Sequence, residues 1–337
     1  MKYLVMIPAF AVVLGAVLPV ETAEPEVGPE LGDVGAETAT HEELPPLGVE
    51  FQRLTAMRLH PRGNLLACDG DAQHIKVIDA SGKVVSTIEL DFQPEAIDVA
   101  DDGTIYCGGQ GRLAKLSAEG RVLRQIDLPK KETPEGEEAP GRRSDRANRV
   151  SGIGVTASDV FLAYGAGWSL RSRSKLFRLD RNLEGLTLIA EDLRGCCQRC
   201  DIAARGETIY VAENSRYRVV SFDREGNELA HFGGKSRKDL EGFGACCNPM
   251  NLDFDARGLL YTSESGIGRV KQYTPDGRFQ ALVGYVGVQR FESAGHLAAS
   301  CSNMAIAVTP DGRRVYVMDY KGNLIRVLQK CEIGVRL

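Results

Sequence analysis

Asp201 to Ala230 reads DIAARGETIYVAENSRYRVVSFDREGNELA, and Asn251 to Leu282 reads NLDFDARGLLYTSESGIGRVKQYTPDGRFQAL. Both stretches run through the same order: a short apolar strand, a turn with Gly, a second strand, a break, a third strand, another Gly turn, a fourth strand. Within the strands, β-branched and aromatic residues cluster, as in Ile209-Tyr210-Val211, and Arg-Gly or Asp-Gly pairs mark the hairpin turns. The same layout recurs from Ala56 to Leu90, Glu95 to Leu128, Gly152 to Leu193 and, shortened, Met304 to Cys331, which makes six units. A unit of about forty residues with four short strands cannot bury both faces of its own sheet. The units must therefore pack around an axis, and the expected fold is all-β, a six-bladed β-propeller. The last unit offers three strands, Ala305 to Val308, Val315 to Met318 and Leu324 to Leu328, so the segment Val49 to Leu54 is expected to supply its fourth.

The runs ENSRYRVVSFDREG, Glu213 to Gly226, and ESGIGRVKQYTPDG, Glu264 to Gly277, resemble the blades of the NHL family, and the resemblance covers residues 50 to 331. It implies a six-bladed propeller. It implies little chemistry, because NHL-like blades serve lyases, lactone hydrolases, receptors and binding modules alike.

Outward from the repeats, the chain opens with Met1-Lys2 and an apolar run from Tyr3 to Val20, the pattern of an export signal. Residues 1–23 are read as a signal peptide or a retained N-terminal membrane anchor, which makes the setting extracytoplasmic: periplasmic, secreted or membrane-tethered. Residues 24–48, rich in Glu and Pro, read as a disordered acidic linker. Residues 49–337 are read as the propeller. A net charge of −5 argues against a nucleic-acid partner.

Nine cysteines, an odd number, cannot all pair within one monomer. Aligning blades on their first strands sets Cys196-Cys197-Gln198-Arg199-Cys200 beside Cys246-Cys247-Asn248-Pro249-Met250 and Ser300-Cys301-Ser302-Asn303-Met304. Cys197, Cys247 and Cys301 become equivalent, as do Cys200, Met250 and Met304, with Met57 matching them in the first blade. First strands line a propeller's axis, so these sulfurs should gather at one mouth of the channel. Thiolate and thioether are the soft ligands that select copper(I), zinc or iron–sulfur centres. Cys196, Cys197, Cys200, Cys246, Cys247 and Cys301 are therefore candidate ligands of a thiophilic metal or redox centre. Structural disulfides are the competing reading in an oxidising compartment, and Met57 reads as core packing. Cys68 and Cys107, on equivalent second strands, read as buried thiols, and Cys331 belongs near the opposite mouth.

Asp69, Glu213, Glu264 and Asp319 hold equivalent positions after the second strands, forming a candidate acidic rim on the cysteine face. The resemblance to calcium-dependent lactone hydrolases raises a calcium site there. The competing reading is that these residues organise the inter-strand turns. Asn248, Asn251 and Asn303 lie near that rim. Arg218 and Arg269 either clamp an anion or pair with a neighbouring carboxylate, Trp168 packs between blades or meets a ligand, and His296 is the histidine nearest the cluster. Gly-rich Gly108-Gly109-Gln110-Gly111 lacks the strand-to-helix setting of a phosphate loop. Long connections at Pro129–Arg149, Lys235–Ala245 and Tyr285–Ser300 should overhang the cysteine face and offer a partner protein a landing place. Three functions follow: a propeller holding a thiophilic metal or redox centre, a secreted protein- or ligand-binding module with structural disulfides, and a divalent-cation-dependent hydrolase or lyase. No catalytic residue stands out, because no general base is persuasive, so the sequence leaves open whether the protein is an enzyme.

Overall fold

In the computed structural model, residues 34–129, 148–165, 173–196, 199–236, 238–244, 247–287 and 303–332 are described. Among the described residues, twenty-four strands form six four-stranded antiparallel sheets. Chain order gives β1 (His41–Leu44) first, then blade one, β2 (Leu54–Leu59), β3 (Leu65–Asp69), β4 (His74–Ile78) and β5 (Val84–Glu89). Blade two is β6 (Ala96–Val99), β7 (Ile105–Gly109), β8 (Arg112–Leu116) and β9 (Val122–Asp127). Blade three is β10 (Val150–Val155), β11 (Asp159–Tyr164), β12 (Ser174–Asp180) and β13 (Thr187–Leu193). Blade four is β14 (Ile202–Arg205), β15 (Thr208–Glu213), β16 (Arg218–Phe222) and β17 (Glu228–Gly233). Blade five is β18 (Asn251–Phe254), β19 (Leu260–Glu264), β20 (Arg269–Tyr273) and β21 (Phe279–Tyr285). Blade six takes β22 (Ile306–Val308), β23 (Arg314–Asp319) and β24 (Leu324–Lys330), with β1 as its outer strand. First strands pack against one another in sequence, β2 on β6 through to β18 on β22, and β22 against β2 closes the ring. The fold is a six-bladed β-propeller.

Burial explains why the second strands show no polar alternation. Leu65–Asp69, Ile105–Gly109, Asp159–Tyr164 and Leu260–Glu264 are buried along their whole length, as strands covered on both faces must be. The outer strands β5, β9 and β17 are exposed almost throughout. Each fully buried aliphatic side chain in the inter-blade layers contributes about 1.5–3 kcal/mol. Tight turns set the blade spacing: Gly226 lies at φ 88°, and a Cβ there would stand 2.1 Å from the Ile189 carbonyl oxygen of the preceding blade, so only glycine fits.

The sixth blade corrects one expectation. Its outer strand is His41–Leu44 rather than Val49–Leu54, paired with β24 from His41↔Lys330 to Leu44↔Val327. Ordered chain thus begins before residue 49, with a short 3-10 turn at Ala36–Thr38. His41 is buried, its Nε2 lies 3.0 Å from the Gly312 carbonyl oxygen, and Glu43 pairs with Arg326 at 2.9 Å. The ring is therefore closed by the N-terminal strand. Among the described residues no helix is long and apolar enough to cross a membrane; the Tyr3–Val20 run lies outside them.

Candidate functional site

The channel is crossed at mid-depth by one guanidinium. Arg58, on β2, is buried, with Nε 2.8 Å from Asp98 Oδ1 and Nη1 2.8 Å from Asp253 Oδ1. Asp201 adds a third nearby negative charge. These aspartates also bind blade to blade: Val155 N–H donates to Asp98, Leu252 N–H to Asp201 and Val308 N–H to Asp253, each at 2.8 Å. Asn251 accepts from Ile306 N–H in the same way. Burial pushes the Asp201 carboxyl up to about 7, against the attraction of Arg58. Sequence reading missed this axis, because its partners sit on different blades, Arg58 and Asp253 being 195 residues apart.

Arg58 divides the channel into two cavities. One is a wide funnel of ≈ 720 Å³, floored by Arg58, Asp98 and Asp253. The other is a narrow well of ≈ 20 Å³, lined among others by Met57, Arg58, Asp201, Met250, Asn251 and Asn303, with room for about one water. The well opens on the face where the chain enters each first strand.

Near that face several of the sequence-predicted sulfurs pack, with Tyr261, Val270 and Ile306, into the apolar layer between blades five and six. Cys247, Met250 and Met304 share one buried cluster, and partly buried Cys196 packs against it, so blades four, five and six all contribute. The Asn214 amide joins two of them: its Oδ1 accepts from Cys196 N–H at 2.6 Å, and its Nδ2 lies 3.8 Å from Met250 Sδ. The Cys196 turn is tight. Arg199 N–H donates to the Cys196 carbonyl at 3.2 Å, and a Cβ on Gly195 would sit 2.2 Å from the Arg199 carbonyl oxygen. Cys247 has φ 67°, the left-handed region. Cys200 goes elsewhere. It lies in the core between blades three and four, and burial, then Glu213, pushes its thiol up to about 12. Cys197, Cys246, Cys301, Trp168 and His296 lie outside the described residues, as do 130–147 and 288–302 of the overhanging connections. Met57 packs in the core of blades one and six. Cys68 and Cys107 are fully buried in one apolar layer, and exposed Cys331 follows β24, its N–H donating to the Thr40 carbonyl.

The rim carboxylates do not face one another; each ties its own blade together. Asp69 accepts from Gln52 N–H and Arg53 N–H at 2.9 and 2.8 Å, with Lys76 3.4 Å away. Burial raises its pKa, and these donors more than offset that, holding it below the usual carboxylate range. Glu213 accepts from Arg194 N–H at 3.0 Å and pairs with Arg216 and Arg218. Glu264, fully buried, accepts from Gly244 N–H at 2.7 Å and pairs with Arg269 and Lys271, also fully buried. Asp319 accepts from Gly322 N–H and pairs with Arg326 at 3.0 Å. Arg218 and Arg269 are thus partners of carboxylates. Lys271 Nζ also donates to the Leu240 and Gly242 carbonyls and lies 4.5 Å from the Phe243 ring centre. Burial pulls its pKa down to about 8 despite Glu264. Asn248 uses its whole amide internally, Nδ2 donating to the Gly244 and Ser265 carbonyls and Oδ1 accepting from Ser265 N–H. Asn303 donates to the Thr55 carbonyl.

No family model and no curated protein matches the chain. Solved structures do. A gluconolactonase from Xanthomonas campestris matches with a TM-score of 0.56 and 13% identity, over 88% of this chain and 96% of that one. The calcium-binding protein regucalcin from Agrobacterium tumefaciens gives 0.54 and 15%, over 87% and 94%. A virginiamycin B lyase from Staphylococcus aureus gives 0.52 and 14%, over 88% and 89%. These neighbours are six-bladed propellers, and at such identities the likeness carries the fold alone. Calcium asks for several oxygen ligands around one point. The rim does not offer them: its carboxylates are engaged by arginine or lysine, and among the described residues no group of three or more His, Cys, Asp or Glu is placed to hold a metal.

Proposed function

We propose that the protein is an extracytoplasmic, NHL-like propeller that binds a thiophilic metal ion at the loop-side mouth of its channel. One observation supports the reading: Cys247, Met250 and Met304 lie in one buried apolar layer against which Cys196 packs, so residues from blades four, five and six share it. Thiol and thioether together favour a soft ion, copper(I) before zinc. Cys197, Cys246 and Cys301 neighbour these residues in sequence and are the further ligands of the proposal. The rim is not a rival donor set, since its oxygens already face cations of their own blades.

The test is anaerobic loading of the full chain with copper(I), followed by metal analysis of the desalted protein. The expected outcome is about one tightly held ion per chain, with affinity falling at least tenfold in Cys247→Ser and unchanged in Cys331→Ser, whose thiol follows β24 away from the mouth. Equal metal content in both variants, or none in the parent, overturns the reading.

A further inference from the structure

We propose that His41 makes β1 an acid-released latch: protonation of its buried ring loosens the N-terminal strand and uncovers the β24 edge of blade six, the blade that both ends of the chain build. The inference is independent of the sulfur-site reading.

The strand is held by its ladder on β24 and by the His41 ring, which is 6% exposed. A carbonyl only accepts, so Nε2, 3.0 Å from the Gly312 carbonyl oxygen, carries a hydrogen. Nδ1, 2.9 Å from Thr40 Oγ1, is then the acceptor in the neutral ring. Thr40 Oγ1 also lies 3.3 Å from the Leu282 carbonyl oxygen. A protonated ring therefore keeps a partner on each nitrogen, Nδ1 donating to Oγ1 and Oγ1 to Leu282. What opposes the second proton is burial and charge. Lys330, on β24, is the register partner of His41. Arg257, from the turn between β18 and β19, pairs with Asp255 at 2.7 Å beside the Gly312 turn, where Tyr261 Oη also lies. In that turn Asp311 accepts from Thr309 Oγ1 and Arg313 N–H at 2.7 and 3.0 Å, and Arg313 faces Glu332 at 3.8 Å. From β21 the group that reaches this place is the uncharged Leu282 carbonyl. On β1 itself Glu43 is engaged by Arg326 at 2.9 Å, and Glu42 is exposed. Burial lowers the ring's pKa first, the Gly312 bond raises it in part, and Lys330 and Arg257 lower it further, leaving it below 6.5.

The sign follows from linkage. A ring released into water recovers its ordinary pKa of 6.5 and takes up a proton that the docked ring refuses. The contribution of His41 to docking is therefore complete above that value and is lost as pH falls through the lower, docked one. His60 shows the same construction without the latch. Its Nε2 lies 3.2 Å from the carbonyl oxygen of Gly103, the matching turn glycine of blade two, and burial lowers its pKa too. His60 follows β2, an inner strand packed against its neighbours on the axis, so its titration acts on whole blades. His41 stands on a four-residue outer strand hydrogen-bonded in its sheet to β24 alone. Beyond Leu44, Pro45 and Pro46 have no N–H to hold the chain, and the next backbone bond to β24 is Leu47 N–H to the Ile325 carbonyl at 2.9 Å. Such a segment opens locally at a lower free energy than the fold as a whole.

The experiment is native-state hydrogen–deuterium exchange of the full chain at about pH 7.5 and about pH 5.0, on either side of the ordinary histidine range. It is read by mass spectrometry as protection factors, which remove the intrinsic pH dependence of exchange. The quantity compared is the protection of β1 relative to that of buried β3, a ratio that cancels the whole-molecule contributions of Asp201 and His60. In the parent this ratio should fall about threefold or more from the higher pH to the lower. His41→Gln keeps an N–H for the Gly312 carbonyl and has no titrating ring, so its ratio should stay level. Any contribution from carboxylates persists in that variant and is removed by the comparison. Lys330→Gln takes away one of the two cations that oppose protonation and leaves the ring in place. It should show a smaller fall than the parent, and it carries the test if His41→Gln does not hold β1 at either pH. Equal pH dependence in the parent and in the variant used, or none in the parent, overturns the inference.

Discussion

Arg58 and its three aspartates show what a single buried charge can organise. The guanidinium joins blade one to blades two and five through Asp98 and Asp253, while the aspartates reach the backbone of the following blades. Burial holds the Asp201 carboxyl up at about 7 against the attraction of Arg58, and the neighbouring Asp98 charge adds to the shift. The consequence has a sign. An acid whose folded pKa lies above its unfolded value of 3.8 binds more protons folded than unfolded between those two values, so stability falls as pH rises from about 4 to 7 and is level above that. Asp201→Asn removes this term while keeping an oxygen for Leu252 N–H. In urea unfolding series, the stability of the variant relative to the parent should rise across that window by an amount on the order of 1–4 kcal/mol and then plateau. A difference independent of pH would mean that Asp201 titrates normally.

The blade is the element on which sequence and structure agree best, and β1 shows where that agreement ends. Six repeats were legible because each hairpin carries its own turn residues and each second strand its run of apolar or β-branched side chains, properties local to about forty residues. His41–Leu44 carries no such mark. HEEL lies in an acidic stretch and is a strand only because the β24 edge accepts it, a pairing across almost the whole chain. An uncovered sheet edge is a site for association. A chain beginning at residue 34 should therefore unfold at the parent's urea midpoint, whereas one beginning at residue 46 should lose at least ~2 kcal/mol and self-associate, as read by denaturation and light scattering. Equal midpoints would show that closure does not depend on this strand.

Across the whole molecule, a near-symmetric ring carries an asymmetric site. Every blade presents a first strand to the axis, yet the paired cysteines enter only blades four and five, with Met304 and Cys301 at blade six. Alignment of the repeats placed Cys247, Met250 and Met304 on one face, because blade equivalence converts sequence position into position around the axis, and all three lie in one apolar layer. It also grouped Cys200 with Met250 and Met304, whereas the structure turns that thiol into the layer beside Phe161 and Ile202. Cys200 and Met304 each pack in the layer toward the preceding blade, blades three and four for one and five and six for the other, so equivalence in the repeat does not bring their sulfurs to one point. The roles of the rim were open for a similar reason: a carboxylate's partner, here Arg218, Arg269 or Arg326, fixes whether it holds a loop or an ion. The central claim is that the mouth is a sulfur site. X-ray absorption at the copper edge of the anaerobically loaded protein tests it most directly. The account predicts a first shell of sulfur, lost on Cys247→Ser; a shell of oxygen and nitrogen, or no bound copper to measure, would contradict it.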